Sequence, residues 1–319
     1  MGTPAFAAAV MRPLMAAGHQ IAAVVTRPDA PAGRGLTTHP GPVKQLARAH
    51  DIPVLQPAGV RGPDLPAQAR ALSPDIVVVV AFGRILPQTL LEVAPLGAVN
   101  LHASLLPRYR GAAPVAWAIA RGEAVTGVTT MRMVERLDAG DILLQRSTPI
   151  GPAETAGDLE QRLAGLGADL MIETLAGLAA GSITPRPQEE AAATYAPILK
   201  KQDGLIDWTR SAGEIARLVR AFDPWPVAST GVTGAPGRTL RIWKARPLAL
   251  SRGGEPEGAV VKVVKDPRSP GAEAESGVIV ACGEGTLLLV TEIQPAGRKR
   301  MTAIEAVSGR HMKEGDQLG

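Results

Sequence analysis

At 319 residues the chain is long enough to bury two separate cores. Hydrophobic residues make up 45% of it but aromatics only 3%, so those cores must be aliphatic, built from Val, Leu, Ile and Ala. A net charge of +4 permits a polyanionic partner without demanding one, and the single cysteine, Cys282, excludes an internal disulfide or a cysteine zinc cluster and fits a reducing compartment.

No run reaches membrane-spanning length, and no signal-type apolar block follows the N-terminus. A soluble, cytoplasmic, monomeric protein that makes no membrane contact is the expectation. Gly2-Thr3-Pro4 reads as a turn entering a helix over 5–17, and 21–26 as a strand. Residues 27–42, with Pro31-Ala32-Gly33-Arg34-Gly35, hold too many breakers for regular structure. A short helix over 43–50 and a strand over 52–55 follow. Residues 76–80 are an unbroken β-branched run, as in a strand buried on both faces of a parallel sheet. Alternating strands and helices argue a doubly wound α/β sheet, in which ligands bind beyond the carboxyl ends of the strands.

One such edge carries residues 100–111, NLHASLLPRYRG. On a strand, Asn100 and His102 lie two residues apart and project to one side. Pro107 ends the strand, and Arg108 and Arg110 add two cations before a turn at Gly111. An N-x-H pair alone is most often a polar strand end. The whole twelve-residue string says more.

Beyond it, 113–121 reads as a helix, 127–133 as a strand, 138–141 as a turn and 142–146 as a strand. Thr155 and Asp158 open a long helix whose Leu159, Leu163, Leu166, Leu170 and Leu178 recur near helical spacing, a core stripe. Composition then shifts to Pro, Glu and Ala. That marks a linker over 183–204 between a first domain, 1–182, and a second, 205–319. In the second, Ser211 and Glu214 cap a helix reaching 222. Short strands over 240–244, 259–264, 278–281 and 287–293 suggest a small barrel. Residues 266–276 read as a variable loop that leans to disorder.

The N-x-H…SLLP…G string resembles the signature of the folate-dependent formyltransferases. Ala112-Ala113-Pro114, Trp117, residues 126–129 and residues 137–141 continue the likeness. So do Tyr195-Ala196-Pro197, residues 204–208, Pro224-Trp225-Pro226 and residues 294–297, so it covers nearly the whole chain. The resemblance implies a Rossmann-like, mostly parallel, doubly wound sheet followed by a smaller OB-like β-barrel. It implies transfer of the formyl group of 10-formyltetrahydrofolate to an amine, with no metal. Within the family, the branch whose acceptor is methionine carried on initiator tRNA matches best. A small amine acceptor, such as an amino sugar nucleotide, is the alternative. One departure stands out: the hydrophobic strand that precedes the first glycine turn in the family is missing. Its absence would expose two strand edges, and it suggests that Met1 is an internal methionine.

Formyl transfer needs no nucleophilic side chain, and the chain has no G-x-S-x-G, H-E-x-x-H or P-loop motif. It needs donors aimed at the oxyanion, a group to manage protons, and close orientation of two substrates. Asn100 suits the first role through its amide N–H. Protonated His102 would donate to the same oxygen. Asp138 matches the family's catalytic aspartate. It would favour the protonated imidazole and order a water that relays the amine's proton, while Asp141 is assigned to structure. By resemblance, Ser104, Leu105, Leu106 and Pro107 form the folate-binding loop through backbone and apolar faces, and 82–86 a wall of the pterin pocket. Arg34, in the glycine-rich loop, would enter the acceptor-stem end of the tRNA. Arg298, Lys299 and Arg300, with Lys200-Lys201, would form a basic track along phosphates.

Overall fold

The computed structural model describes residues 1–32, 37–235, 237–251, 254–264 and 276–319. They cluster into two compact units. Met1–Val115, Ala124–Ile150 and Asp158–Ile198 form the first, and Ala116–Glu123, Gly151–Gly157 and Leu199–Gly319 the second.

In chain order the elements begin with α1 (Ala5–Ala16), β1 (Val24–Val25), β2 (Ala30–Ala32), β3 (Thr37–His39), α2 (Pro42–Ala49), β4 (Val54–Leu55) and α3 (Asp64–Ala71). Then come β5 (Val77–Val80), α4 (Gln88–Leu91), β6 (Ala98–His102), β7 (Arg110–Gly111), α5 (Pro114–Ala120), β8 (Val125–Arg132), β9 (Ile142–Pro149), α6 (Ala156–Ala179) and β10 (Tyr195–Ala196). Strands alternate with helices, as expected of an α/β unit. The principal sheet runs β5-β6-β8-β9, with β5 and β6 parallel and β8 and β9 antiparallel additions. The leucine stripe of α6 is buried at Leu159, Leu163, Leu170 and Leu178. This helix lies so near β6 that a Cβ on Gly167 would come within 2.6 Å of Leu101 Cδ2. One face of β6 is thereby fixed against α6, and the Asn100–His102 face is turned the other way.

The expected strand edges are present. Among the described residues β1 pairs only with β4, in a separate parallel pair. Between β1 and β5 the described contacts are those of the first two residues. Gly2 bridges Val80 and donates its N–H to Val25 O at 3.0 Å, and the Met1 amine donates to Val78 O at 2.6 Å. A cavity of about 680 Å³ opens here, lined among others by Val10, Leu14, Val24, Val78, Leu96 and Leu175.

Two expectations change. Residues 27–42 do hold regular structure, because β2 and β3 form an antiparallel hairpin with Ala30 opposite His39 and Ala32 opposite Thr37. Its glycines are concentrated at 33–35, so the arms keep residues able to pair, and Pro31 is tolerated because a two-stranded ribbon has free edges. Residues 183–198, expected within a linker, run along the first unit with regular hydrogen bonds. Arg186 exchanges two backbone bonds with Ile142, and β10 pairs in parallel with β7.

The second unit contains α7 (Ala212–Ala221), β11 (Ala228–Gly231), β12 (Thr239–Ser251), β13 (Val260–Val264), β14 (Gly277–Ala281), β15 (Thr286–Pro295), β16 (Met301–Thr302) and α8 (Ala303–Ser308). Ser211 and Glu214 close the expected capping box on α7. The strands form one antiparallel sheet in the order β11-β12-β15-β14-β13, with β16 on β15. No pairing of β11 with β13 closes a barrel among the described residues. Instead the C-terminal tail joins the two ends through single bridges, Leu318 to Val232 and Gln317 to Ala259. The core is aliphatic, as composition required: Ile215, Val219, Leu240, Val278 and Leu288 are buried in it with Trp208 and Cys282. The expected variable loop falls almost wholly on 265–275, outside the described residues.

Candidate active site

β6 delivers the first two groups. All five of its residues are buried. Asn100 lies opposite Val79 on one side and Met131 on the other, and His102 opposite Thr129. The backbone of Asn100 is spent on the sheet, yet its side-chain amide makes no hydrogen bond among the described residues. A buried residue with an uncommitted amide is unusual, because such groups are normally paired within the protein. His102 is held from one end. Its Nε2 lies 2.8 Å from Tyr109 O. A carbonyl can only accept, so Nε2 carries the proton and Nδ1 is the nitrogen left for chemistry.

Asp138 supplies the carboxylate. It lies on the turn between β8 and β9 with φ of +47°, a left-handed conformation that aspartate adopts more readily than bulkier residues. Its Oδ2 lies 3.7 Å from His102 Nδ1 and accepts the N–H of Gly111 at 2.8 Å. Gly140 admits no side chain, since a Cβ there would lie 1.8 Å from Arg132 O. Asp141 serves structure through its backbone, its carbonyl accepting Arg132 N–H at 2.8 Å. The structure therefore brings Asn100, His102 and Asp138 to one unit, with the last two in direct apposition.

The 104–107 loop is more internal than the sequence implied. Ser104 is fully buried, and its hydroxyl donates to Arg108 O at 2.6 Å. Leu106 is buried with Met131 and Ile142. Leu105 and Pro107 are half-buried. The loop is tied to β8 and β9 by side chains that sequence reading passed over. Thr129 Oγ1 donates to Ser104 O and accepts Leu106 N–H, and Gln145 Nε2 donates to Leu106 O at 2.8 Å. Neutral hydroxyls and amides without distinctive spacing leave no signal in a sequence. In the 82–86 segment, Phe82 O and Gly83 O both accept from the Arg27 guanidinium, while Ile85 is exposed.

Arg110, read only as one of two loop cations, is among the most deeply buried side chains. Its guanidinium donates to Glu190 at 3.0 and 3.1 Å and to Gln188 Oε1 at 2.9 and 3.0 Å. These bonds hold the Glu190 carboxyl below the usual carboxylate range and raise the basicity of the guanidinium.

Of the residues expected on the tRNA side, Arg34 lies outside the described residues. Just before β2, Asp29 accepts from buried Lys44, which also donates to Gln56 beyond β4, both at 2.5 Å. In the second unit, Arg298 and Lys299 are exposed on the turn between β15 and β16, and neither forms an ion pair among the described residues. Arg300 beside them is committed, paired with Glu292 and stacked 4.6 Å from the Trp243 ring centroid. Lys200 and Lys201 are exposed. No group of three or more potential metal ligands occurs among the described residues. None of the helices there is long and apolar enough to cross a membrane.

Comparison with known proteins places the chain in a family. Residues 1–175 match the formyl transferase family model, and 198–311 match the model of the formyl transferase C-terminal domain. The methionyl-tRNA formyltransferase of Geobacter metallireducens is 48% identical over 319 residues, covering 100% of this chain and 97% of its own. That of Geobacter sulfurreducens is 46% identical over 319 residues, covering 100% and 95%. Among solved structures, the N-formyltransferase of Helicobacter canadensis in complex with folinic acid and dTDP-3-aminofucose shares the fold. Its TM-score is 0.63 at 17% identity, over 91% of this chain and 96% of that one. A two-domain layout, an Asn–His–Asp constellation and near-half identity along the full length agree: the chain belongs to the methionyl-tRNA formyltransferase family.

Proposed function

We propose that the protein transfers the formyl group of 10-formyltetrahydrofolate to the α-amino group of methionine on initiator tRNA. The observation that carries the chemistry is the apposition of His102 Nδ1 and Asp138 Oδ2 at 3.7 Å, on a strand that also presents the uncommitted amide of Asn100. Family membership carries the choice of acceptor over a sugar nucleotide.

In the proposed reaction the amine lone pair attacks the formyl carbon, and the carbonyl electrons move to oxygen. Asn100 donates its amide N–H to that oxyanion. His102, whose Nε2 is held by Tyr109 O, offers Nδ1 as the second donor to the same oxygen, with the Asp138 carboxylate 3.7 Å from it. One Asp138 oxygen is occupied by Gly111 N–H, and the other is available to order the amine or a water that takes its proton. Collapse of the intermediate breaks the bond from carbon to the folate nitrogen, which leaves with a proton, and the amine keeps the formyl group.

The donor is assigned to the 104–107 loop. Ser104 and Leu106 face inward, so binding there falls to the backbone and to Leu105 and Pro107. Arg298 and Lys299, both exposed and without an ion pair among the described residues, are assigned to tRNA phosphates, and Arg34 to the acceptor end. The protein is proposed to work as a cytoplasmic monomer. The test is transfer of labelled formyl from 10-formyltetrahydrofolate to methionine charged on initiator and on elongator tRNA. Formylation of the initiator form is expected. Failure with both tRNAs, alongside formylation of an amino sugar nucleotide, would overturn the acceptor.

A further inference from the structure

Asp138 is held at both ends by one short stretch of chain. Its side chain accepts the Gly111 N–H at 2.8 Å. Its backbone carbonyl accepts Gln188 Nε2 at 2.8 Å, and the same Nε2 reaches Gly140 O at 2.7 Å. The other end of that amide, Oε1, accepts two N–H groups from Arg110, the residue next to Gly111. The bonds form a ring from Gly111 to Asp138, to Gln188, to Arg110, and back along the chain. Glu190 fixes the far side of the guanidinium.

The ring uses every hydrogen-bonding group of the Gln188 amide, and its polarity is dictated. Arg110 can only donate, so Oε1 must face it and the NH2 must face the two carbonyls. A turn whose Asp138 holds φ of +47° needs such outside support. Gln188 lies on residues 183–198, which follow α6 within the first unit, and among the described residues its side chain makes no hydrogen bond to His102 or Asn100.

We propose that Gln188 is a positioning residue for formyl transfer, setting the Asp138 carboxylate against His102 by tying the 138–140 turn to Arg110. This rests on the catalytic reading of Asp138. The experiment compares steady-state formylation of initiator methionyl-tRNA by wild type, Q188L, Q188E, D138N and the double variant D138N/Q188L, with unfolding midpoints recorded for each. Q188E is isosteric and keeps the acceptor for Arg110, but turns an oxygen toward two carbonyls, so it tests the tie without removing the anchor. Both Gln188 variants should lose about 10- to 100-fold in kcat, with KM for either substrate changed less than about threefold, as for a small displacement of a reacting group. In the D138N background Q188L should cost nothing further, because its effect passes through that carboxylate. A Q188L loss that persists undiminished in D138N would overturn the proposal, as would near-normal kcat in folded Q188E. Normal turnover by D138N would instead remove the catalytic reading of Asp138, and the proposal with it.

Discussion

His102 Nδ1 faces Asp138 Oδ2 across 3.7 Å while its Nε2 is held by Tyr109 O at 2.8 Å. The imidazole is thus anchored by one nitrogen and presents the other. His102→Ala and Asp138→Asn should each lower kcat by roughly 10²- to 10⁴-fold, the range for general acid–base groups. Folate binding, followed by fluorescence titration, should survive. Normal turnover by His102→Ala would remove it from the chemistry.

Asn100 gives an opposite balance of stability and activity. Its amide bonds to nothing among the described residues, so Asn100→Leu should leave the unfolding midpoint unchanged or higher while kcat falls by about 10²- to 10³-fold, as when an oxyanion donor is lost. A thermal melt beside a single-turnover assay checks both halves. A stability loss with intact turnover would make Asn100 a structural residue.

The Arg110–Glu190 pair has a defined pH signature. Arg110 holds the Glu190 carboxyl below its ordinary value of 4.5. A depressed carboxylate contributes stability that is present above the unfolded value and lost as pH falls through the folded one. The stability gap between wild type and Glu190→Gln should therefore be full above the ordinary carboxylate value of 4.5 and shrink as pH falls below it. Denaturant melts at several pH values would show it, and a gap independent of pH would contradict the pairing.

Three adjacent cations should behave differently. Arg298→Ala and Lys299→Ala should each weaken tRNA use and reduce the salt slope of binding by about 1. Arg300 is bound to Glu292 and Trp243, so Arg300→Ala should act on the second unit's stability, by up to about 1 kcal/mol for an exposed pair, more than on that slope. Filter binding over a salt series distinguishes the two behaviours.

Much of this was legible in the residues. The valine run of β5, the leucine stripe of α6 and the Ser211–Glu214 box of α7 are local patterns, and each element formed where its pattern stands. Asn100, His102 and Asp138 were recognisable because their strings are distinctive. Gln188, Thr129 and Gln145 were not, since an uncharged side chain acquires its role only from what the fold places opposite it. Arg110 misled for the same reason. A cation in a polar loop reads as solvated, and only Glu190 and Gln188, remote in sequence, make its burial tolerable. The β2–β3 hairpin was missed because breakers were weighed along the whole loop rather than at its tip.

The gap beside Gly2 bears on how the first unit opens. Among the described residues β1 and β4 form no strand pairing with the β5-β6-β8-β9 sheet, and the cavity removes packing that would otherwise join the two. Sheets joined so sparingly need not unfold together. Amide hydrogen exchange should therefore separate two populations, with β1 and β4 exchanging through partial openings and β6 and β8 only through a larger one. The strand that carries Asn100 and His102 would then stay protected while its neighbours across the gap fluctuate.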